Sequence, residues 1–314
     1  MPCPGKREKD IPMKILITGA TGLVGKALVE ELKTQQISIH FLSTNKTKLN
    51  SLSGAKGFYW NPRTEEIDSA CFEGVTHLIH LAGASISKRW TKSYQKEIWE
   101  SRVLGTQLLA KTIKEQVGTH QLKQIVAASA VGCYPSRFES IQTEEAVLQP
   151  DTFLASVVHD WEQAIDACKA PSINVVKLRI GLVLSPLGGV VAALKWMAKV
   201  GLLTALGNGK QGQSWIHIDD LVKMLITASQ QQWEGVYNAV SPHPVSQKQF
   251  MHALAKAYGS FVWLPPAPKV VIQLLYGKMS VLLFNSHWIS AEKVLDKGFR
   301  FKYPHLEEAL SNLS

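Results

Sequence analysis

The chain has 314 residues, of which 46% are hydrophobic and 19% charged, with a formal net charge of +9. This is the composition of one large or two smaller globular domains, and the charge favours anionic partners. The basic residues are scattered, with no block of five like charges, so neither a nucleic-acid surface nor a strongly basic tail is motivated. The four cysteines, Cys3, Cys71, Cys133 and Cys168, form no Cys-x-x-Cys pair and join no histidine cluster. That pattern argues against a disulfide framework or a zinc site and fits a reducing, cytoplasmic compartment.

Residues 1–12 are polar and charged, without the apolar core of a secretory signal, and read as a disordered tail ahead of a natural start near Met13. Apolar runs at 14–18, 37–42, 57–60, 76–81, 124–128 and 174–180 read as strands. Helical periods lie between them, at 24–32, 92–116 and 152–169. Strands of this kind, alternating with helices, predict a parallel sheet covered on both faces. After Gly181 the rhythm shortens under repeated glycines. Asp219 is the expected cap of a helix reaching about Gln232, and 235–240 reads as a strand. Ser246 with Gln249 forms a capping box, and Pro265, Pro266 and Pro268 mark a loop. Pro304 is the expected first residue of the last helix. The expected architecture is a doubly wound Rossmann α/β domain over 13–180, rejoined by 216–240. A smaller, mostly helical lobe over 181–314 closes on it and ends in a module at about 262–314. The apolar stretches 180–206 and 262–289 are interrupted by Pro, Gly and Lys, so no membrane span, and with it no membrane partner, is expected.

The strongest motif is Gly19-Ala20-Thr21-Gly22-Leu23-Val24-Gly25, directly after a strand and directly before a helix. Small residues there let the backbone turn tightly and approach a pyrophosphate, which the free N–H groups of the helix start can hold. An acid at the end of the second strand would hold the ribose 2′-hydroxyl of NAD. Here the run is Ser43-Thr44-Asn45-Lys46-Thr47-Lys48. Its hydroxyls, amide and lysines suit a 2′-phosphate, so NADP(H) is the expected cofactor, with Ser43, Asn45 and Lys46 among its contacts.

The glycine loop, Leu81-Ala82-Gly83, Ser129 and the run Trp215-Ile216-His217-Ile218-Asp219-Asp220-Leu221 together resemble an extended short-chain dehydrogenase/reductase of the NAD(P)-dependent epimerase/dehydratase family. Further motifs are similar to one atypical branch, the "epimerase family" oxidoreductases with a C-terminal domain of unknown function. These are Lys88-Arg89-Trp90, Glu100-Ser101-Arg102, Ser129-Ala130-Val131-Gly132, Asp160-Trp161-Glu162 and 298–304. The resemblance extends the cofactor site to Trp60, Leu81, Ala82, Gly83 and Arg102. It also implies a mechanism: Ser and Tyr hydrogen-bond the reacting carbonyl or alcohol, Lys lowers the Tyr pKa, and Tyr moves the proton while hydride passes to or from the nicotinamide.

The chain departs from that pattern. Ser129 falls at the serine position, but Leu154 and Val158 stand where Tyr-x-x-x-Lys belongs. Tyr134 is the nearest replacement. Cys133, His159 and Asp160 are weaker ones, with bland readings as core or solvated residues. The segment that carries an Arg for the diphosphate in nucleotide-sugar enzymes has Gln213 here, with Ser214 where Asp is common, and Gln offers no guanidinium fork. Arg89 and Lys210 are the remaining candidates for an anionic substrate, with Gln213 beside them. His217 and Asp219 suit a core histidine and a helix cap better than a metal site, and no metal is expected. Three functions stay open: an NADP(H)-dependent oxidoreductase or epimerase of a small hydroxyl or carbonyl compound, an NADP(H)-binding sensor with little turnover, and a nucleic-acid or assembly protein. A homodimer is a candidate assembly.

Overall fold

The structure, a computed structural model, describes residues 12–116 and 121–314. The expected disordered tail therefore lies outside the described residues except for Pro12. Eight strands form the main sheet: β1 (Lys14–Thr18), β2 (Ser38–Ser43), β3 (Ala55–Asn61), β4 (Glu66–Ile67), β5 (His77–His80), β6 (Gln124–Ala130), β7 (Asn174–Ile180) and, after three shorter strands, β11 (Gly235–Ala239). Their order is β11-β7-β6-β5-β1-β2-β3-β4, parallel throughout except for the short β4. The order reverses at β1, so the crevice at its carboxyl end is the place where such sheets bind ligands.

Helices α1 (Leu23–Thr34) and α5 (Ile218–Gln230) cover one face with Leu28, Leu32, Leu221 and Leu225. Helices α2 (Lys92–Glu115) and α3 (Phe153–Asp166) cover the other with Val103, Leu109, Trp161 and Ile165. Thr91 and Thr152 cap α2 and α3 by accepting the amide protons of Tyr94 and Ala155.

The remaining strands β8 (Leu182–Ser185), β9 (Gly212–Gln213), β10 (Trp215–His217) and β12 (Val245–Ser246) pair two by two. With α4 (Gly189–Lys199), α6 (Gln247–Ala257) and α10 (Leu306–Leu313) they enclose a second core around Trp215, Phe250, Leu254 and Leu310. Three short helices complete the lobe: α7 (Lys269–Tyr276), α8 (Val281–Phe284) and α9 (Glu292–Asp296). Ser246 and Gln249 form the capping box of α6.

Two helix starts differ from expectation. His217, not Asp219, caps α5, its Nδ1 accepting the Asp219 amide proton at 3.1 Å. Strand β10 stays extended through His217, which leaves Asp219 inside the first turn. The last helix starts at Leu306 instead of Pro304, because His305 is extended and the Pro304 carbonyl accepts a hydrogen bond from Ser241 Oγ at 2.7 Å. Among the described residues no helix is long and apolar enough to cross a membrane.

Candidate functional site

The glycine loop turns at Gly19, whose φ of +72° is a left-handed conformation open to glycine. A Cβ there would also lie 2.8 Å from the Leu81 carbonyl carbon. Gly25 packs α1 onto the loop: a Cβ would come within 2.2 Å of the Gly19 oxygen and 2.6 Å of Ala20 Cα. At Gly22 a Cβ would press on the Gly19 oxygen alone, at 3.2 Å, a much milder contact than at Gly25. Helix α1 begins without a side-chain cap and without an acid in its first turn. Its leading N–H groups, at Leu23 and Val24, precede the first helical bond, from the Lys26 amide to the Gly22 carbonyl, and are left for an anion. Thr21 lies in the turn between Gly19 and Gly22.

A hydrogen-bonded relay fixes the second loop of the crevice. Thr18 Oγ accepts the amide protons of Leu81 and Ala82, each at 3.1 Å. Its own proton therefore goes to His80 Nδ1, at 2.7 Å. His80 Nε2 then donates to Thr106 Oγ at 2.9 Å, and Thr106 donates to the Arg102 carbonyl at 2.6 Å. Every proton in the relay has one consistent place, with a neutral imidazole. Burial, seconded by the charge of Arg102, pushes the His80 pKa down to about 4. Thr18, His80 and Thr106 were not legible as site residues in the sequence, because the relay joins three distant segments.

Arg102 lies against Gly83, where a Cβ would be 3.0 Å from Cζ of its guanidinium. Its Nη1 donates to the Ala84 and Ile98 carbonyls, both at 3.1 Å, and the cation stands 5.3 Å from the Trp161 ring centroid. Among the described residues no carboxylate lies within 4.0 Å of it. Burial pushes its pKa down to about 10. A half-buried cation lacking a counter-charge, set against Gly83 in the loop that packs on Gly19, is the arrangement a phosphate-bearing ligand would complete.

At the end of β2, Asn45 Oδ1 accepts from the Thr47 amide at 2.9 Å and the Thr47 hydroxyl at 2.7 Å, and the Ser43 hydroxyl accepts the Asn45 amide proton at 3.1 Å. Lys46 is exposed and stands 4.6 Å from the Tyr59 ring centroid. Trp60 is buried in the core under α2, where a Cβ at Gly105 would lie 3.2 Å from its ring. Its indole is thus a packing element away from the loop surface.

Ser129 and Tyr134 belong to a buried polar network between β6, β7, β11 and α3. The Ser129 hydroxyl donates to Glu162 Oε1 at 2.6 Å, and Arg179 grips both Glu162 oxygens through Nε at 2.8 Å and Nη2 at 2.9 Å. Arg179 Nη1 also donates to Tyr134 Oη at 3.0 Å, and Tyr134 donates to Asn238 Oδ1 at 2.7 Å. Burial raises the Glu162 pKa, but Arg179, the Ser129 hydroxyl and Lys177 outweigh it and hold the carboxyl below its ordinary range. Burial pushes the Tyr134 phenol up to about 12 despite Arg179. It likewise pushes the Cys133 thiol to about 12, which makes that sulfur a poor nucleophile. Both hydroxyl protons are thus donated inward.

Residues 15–239 match the NAD dependent epimerase/dehydratase family. The chain belongs to that family. Residues 267–313 match a domain of unknown function, DUF1731. An epimerase family protein of Staphylococcus epidermidis is 33% identical over 308 residues, covering 96% of this chain and 98% of that protein. Human epimerase family protein SDR39U1, crystallised with NADPH, superposes with a TM-score of 0.83 at 26% identity, over 96% of this chain and 99% of that one. A nucleoside-diphosphate sugar epimerase of Corynebacterium glutamicum gives a TM-score of 0.76 at 31% identity, over 96% of this chain and 57% of that one.

Within this family frame, the start of α3 is apolar. Leu154, at the position the resemblance assigns to tyrosine, clusters with Trp90, Phe153, Met279 and Leu282. Val158, at the lysine position, is buried with Cys133, Tyr134, Val240 and Ile289. His159 lies beside Asp160, which accepts from the Trp99 indole N–H at 2.7 Å. Arg89 and Lys210 are exposed, Gln213 lies on β9, and among the described residues no hydrogen bond or ion pair joins the three. The acids of the His-x-Asp-Asp run serve the fold. Buried Asp220 accepts the amide protons of Lys302 and Tyr303 at 2.6 and 2.9 Å, and Asp219 pairs with the Lys302 ammonium at 3.2 Å.

Proposed function

We propose that this chain is an NADP(H)-dependent oxidoreductase or epimerase acting on a small hydroxyl or carbonyl compound with a non-standard catalytic set. The observation that carries the cofactor is the half-buried, uncompensated Arg102 against Gly83, in the loop facing Gly19. Gly19, Thr21, Gly22, Leu23, Val24 and Gly25 would hold the pyrophosphate, with Leu81, Ala82 and Gly83 as the opposite wall. Ser43, Asn45 and exposed Lys46 would take a 2′-phosphate, since β2 ends without an acid. The human relative crystallised with NADPH supports the same choice. When bound, the nicotinamide supplies hydride chemistry. Ser129 then has acceptor capacity to offer a substrate hydroxyl while its own proton stays directed at the Glu162 carboxylate. The substrate is a small molecule in a reducing, cytoplasmic setting, consistent with the free, buried Cys71, Cys133 and Cys168.

A second reading, an NADP(H)-binding sensor with little turnover, is favoured by one observation: the protons of Ser129 and Tyr134 are both committed inside the network. Titration by fluorescence transfer to the nicotinamide, followed by a turnover screen with NADPH and varied carbonyl compounds, tests both. Tighter binding of NADPH than NADH, narrowed by Lys46→Glu, is the expected result, and equal affinities sink the NADP(H) assignment. Turnover lowered by Ser129→Ala supports the enzyme, and tight NADPH binding with no turnover supports the sensor.

A further inference from the structure

Two segments that run from the edge strands β7 and β11 into the lobe beyond the sheet have a charge pattern unlike the rest of the chain. Residues 167–218 and 235–291 contain no Asp or Glu, while Lys195, Lys199, Lys248, Lys256, Lys269 and Lys278 fall within them. These two segments run side by side. The Thr204 hydroxyl donates to the Pro265 carbonyl at 2.6 Å, the Ala267 amide to Ala205 at 2.8 Å, and the Gly207 amide to Ala267 at 2.9 Å. A Cβ at Gly201, just past α4, would lie 3.4 Å from the Trp263 indole nitrogen.

The surface they build is apolar. Trp196, Phe261, Trp263, Val270, Leu274 and Leu275 are 61–80% exposed. Helix α7 buries Ile272 alone, although its sequence is Lys-Val-Val-Ile-Gln-Leu-Leu-Tyr. A helix this apolar has no reason to face water unless something covers it. Exposed Lys199, Lys269 and Lys278 rim the patch, and no acid in either segment neutralises them.

We propose that this face docks the protein peripherally on an anionic lipid bilayer. The apolar side chains of α7 and of residues 261–263 enter the headgroup boundary, the tryptophans lie at the interface, and the lysines meet anionic headgroups. Charge decides between this partner and a second copy of the chain: a symmetric dimer through the face would set its lysines against one another. The expectation of no membrane partner rested on the lack of a spanning segment, and peripheral docking needs none. Continuity with the crevice adds to the argument, because Met279 and Leu282, on the stretch following α7, pack with Trp90 and Leu154 at the start of α3.

The test is flotation of the full chain with vesicles of phosphatidylcholine containing about 30% phosphatidylserine, and with phosphatidylcholine alone. Binding to the anionic vesicles that weakens as salt rises is expected. Leu274→Asp with Leu275→Asp should lower it at least about tenfold, and Lys269→Glu with Lys278→Glu should lower it while leaving the apolar residues in place. Both variants should keep the wild-type melting temperature and its rise on adding NADPH, since none of the four residues is buried. Absence of vesicle binding, or equal and salt-insensitive binding to both vesicle types, overturns the proposal. So does a dimer in sedimentation equilibrium that the double leucine variant dissociates, which would assign the face to a second copy.

Discussion

Two arginines on the α2–α3 face of the sheet, half-buried Arg102 and buried Arg179, should respond in opposite ways to removal of their charge. Arg102 has only carbonyl partners, and Arg179 holds Glu162 through two nitrogens. In Arg102→Met two hydrogen bonds worth about 0.5–1.5 kcal/mol each are lost. Against that, the drop of the Arg102 pKa from 12.5 to about 10 marks a burial penalty on the cation of about 3 kcal/mol, which the variant no longer carries. These contributions largely cancel, so the stability of the free protein should change by no more than about 2 kcal/mol. Cofactor binding should suffer instead: a charge-assisted hydrogen bond to an anion is worth about 1.5–3 kcal/mol, or roughly 10–150-fold in Kd for NADPH. Arg179→Met leaves Glu162 buried beside a lone distant ammonium, Lys177 at 3.7 Å, and should cost about 3–5 kcal/mol of stability. Urea unfolding gives the stabilities and fluorescence titration the affinities. If Arg102→Met destabilised as much as Arg179→Met and left the NADPH affinity unchanged, Arg102 would be a structural residue and the cradle argument would fail.

Gly22→Val should still fold, since its Cβ meets only the Gly19 oxygen, at 3.2 Å, yet lose the NADPH-dependent rise in melting temperature, because its side chain stands where the pyrophosphate would approach the backbone. Gly25→Val should melt early with or without cofactor, since its Cβ meets backbone at 2.2 Å. Early melting of the Gly22 variant or normal melting of the Gly25 variant would contradict this assignment of the two glycines. The His80 imidazole is held neutral, with a folded pKa of about 4 against an ordinary 6.5. Below 6.5 the unfolded chain takes up a proton that the native state refuses. The stability this neutral group contributes is therefore complete above that pH and is lost progressively toward 4, by about 3 kcal/mol in all. His80→Gln should reduce the slope of that limb between about pH 7 and pH 5 by one histidine's share, leaving the shares of His77 and His287, which are also held down at about 4, and an unchanged slope would refute the neutral-imidazole relay.

The alternation of buried strands and amphipathic helices was legible because both faces of the sheet are covered, so each strand is a run of apolar residues. The glycine loop was legible because its chemistry is local: a turn, a close approach and a helix start fall within seven consecutive residues. What lay hidden depends on contacts across the chain. That the Ser129 proton is committed to Glu162, itself gripped by Arg179, emerges only once β6, β7 and α3 are assembled, and Trp60 reads as a ligand contact until α2 covers it. His217 looked like a core histidine and Asp219 like a cap. The conformation of β10 exchanged part of those roles, since an imidazole at the end of an extended strand reaches the first amide of the turn. The exposed face of α7 escaped notice for another reason: hydropathy detects apolar stretches long enough to span a bilayer and says nothing of short ones left uncovered.

The serine at 214 explains why the nucleotide-sugar pattern breaks where it does. Residues 286–290 run between the loop after β6 and the segment 212–214. The Gln142 amide donates to Trp288 at 2.8 Å, the Ser290 amide to Gln142 at 2.9 Å, and the His287 amide to Gly212 at 3.0 Å. A Cβ at Gly212 would lie 2.5 Å from the Trp288 ring, so this glycine is required by the indole against it. Ser214 Oγ donates to the His287 carbonyl at 2.8 Å and accepts the Ile289 amide proton at 2.9 Å. A hydroxyl can serve as donor and acceptor at once, whereas an aspartate is acceptor-only when ionised. The terminal module therefore selects serine at this position and takes up the backbone beside Gln213. Ser214→Asp should lose the bond to His287, set a carboxylate against a carbonyl oxygen, and cost about 1–3 kcal/mol. Ser214→Ala should lose both bonds without that repulsion and fall between Asp and wild type. Thermal melts of the three proteins give the order, and an aspartate variant as stable as wild type would mean that the module does not set the residue at 214.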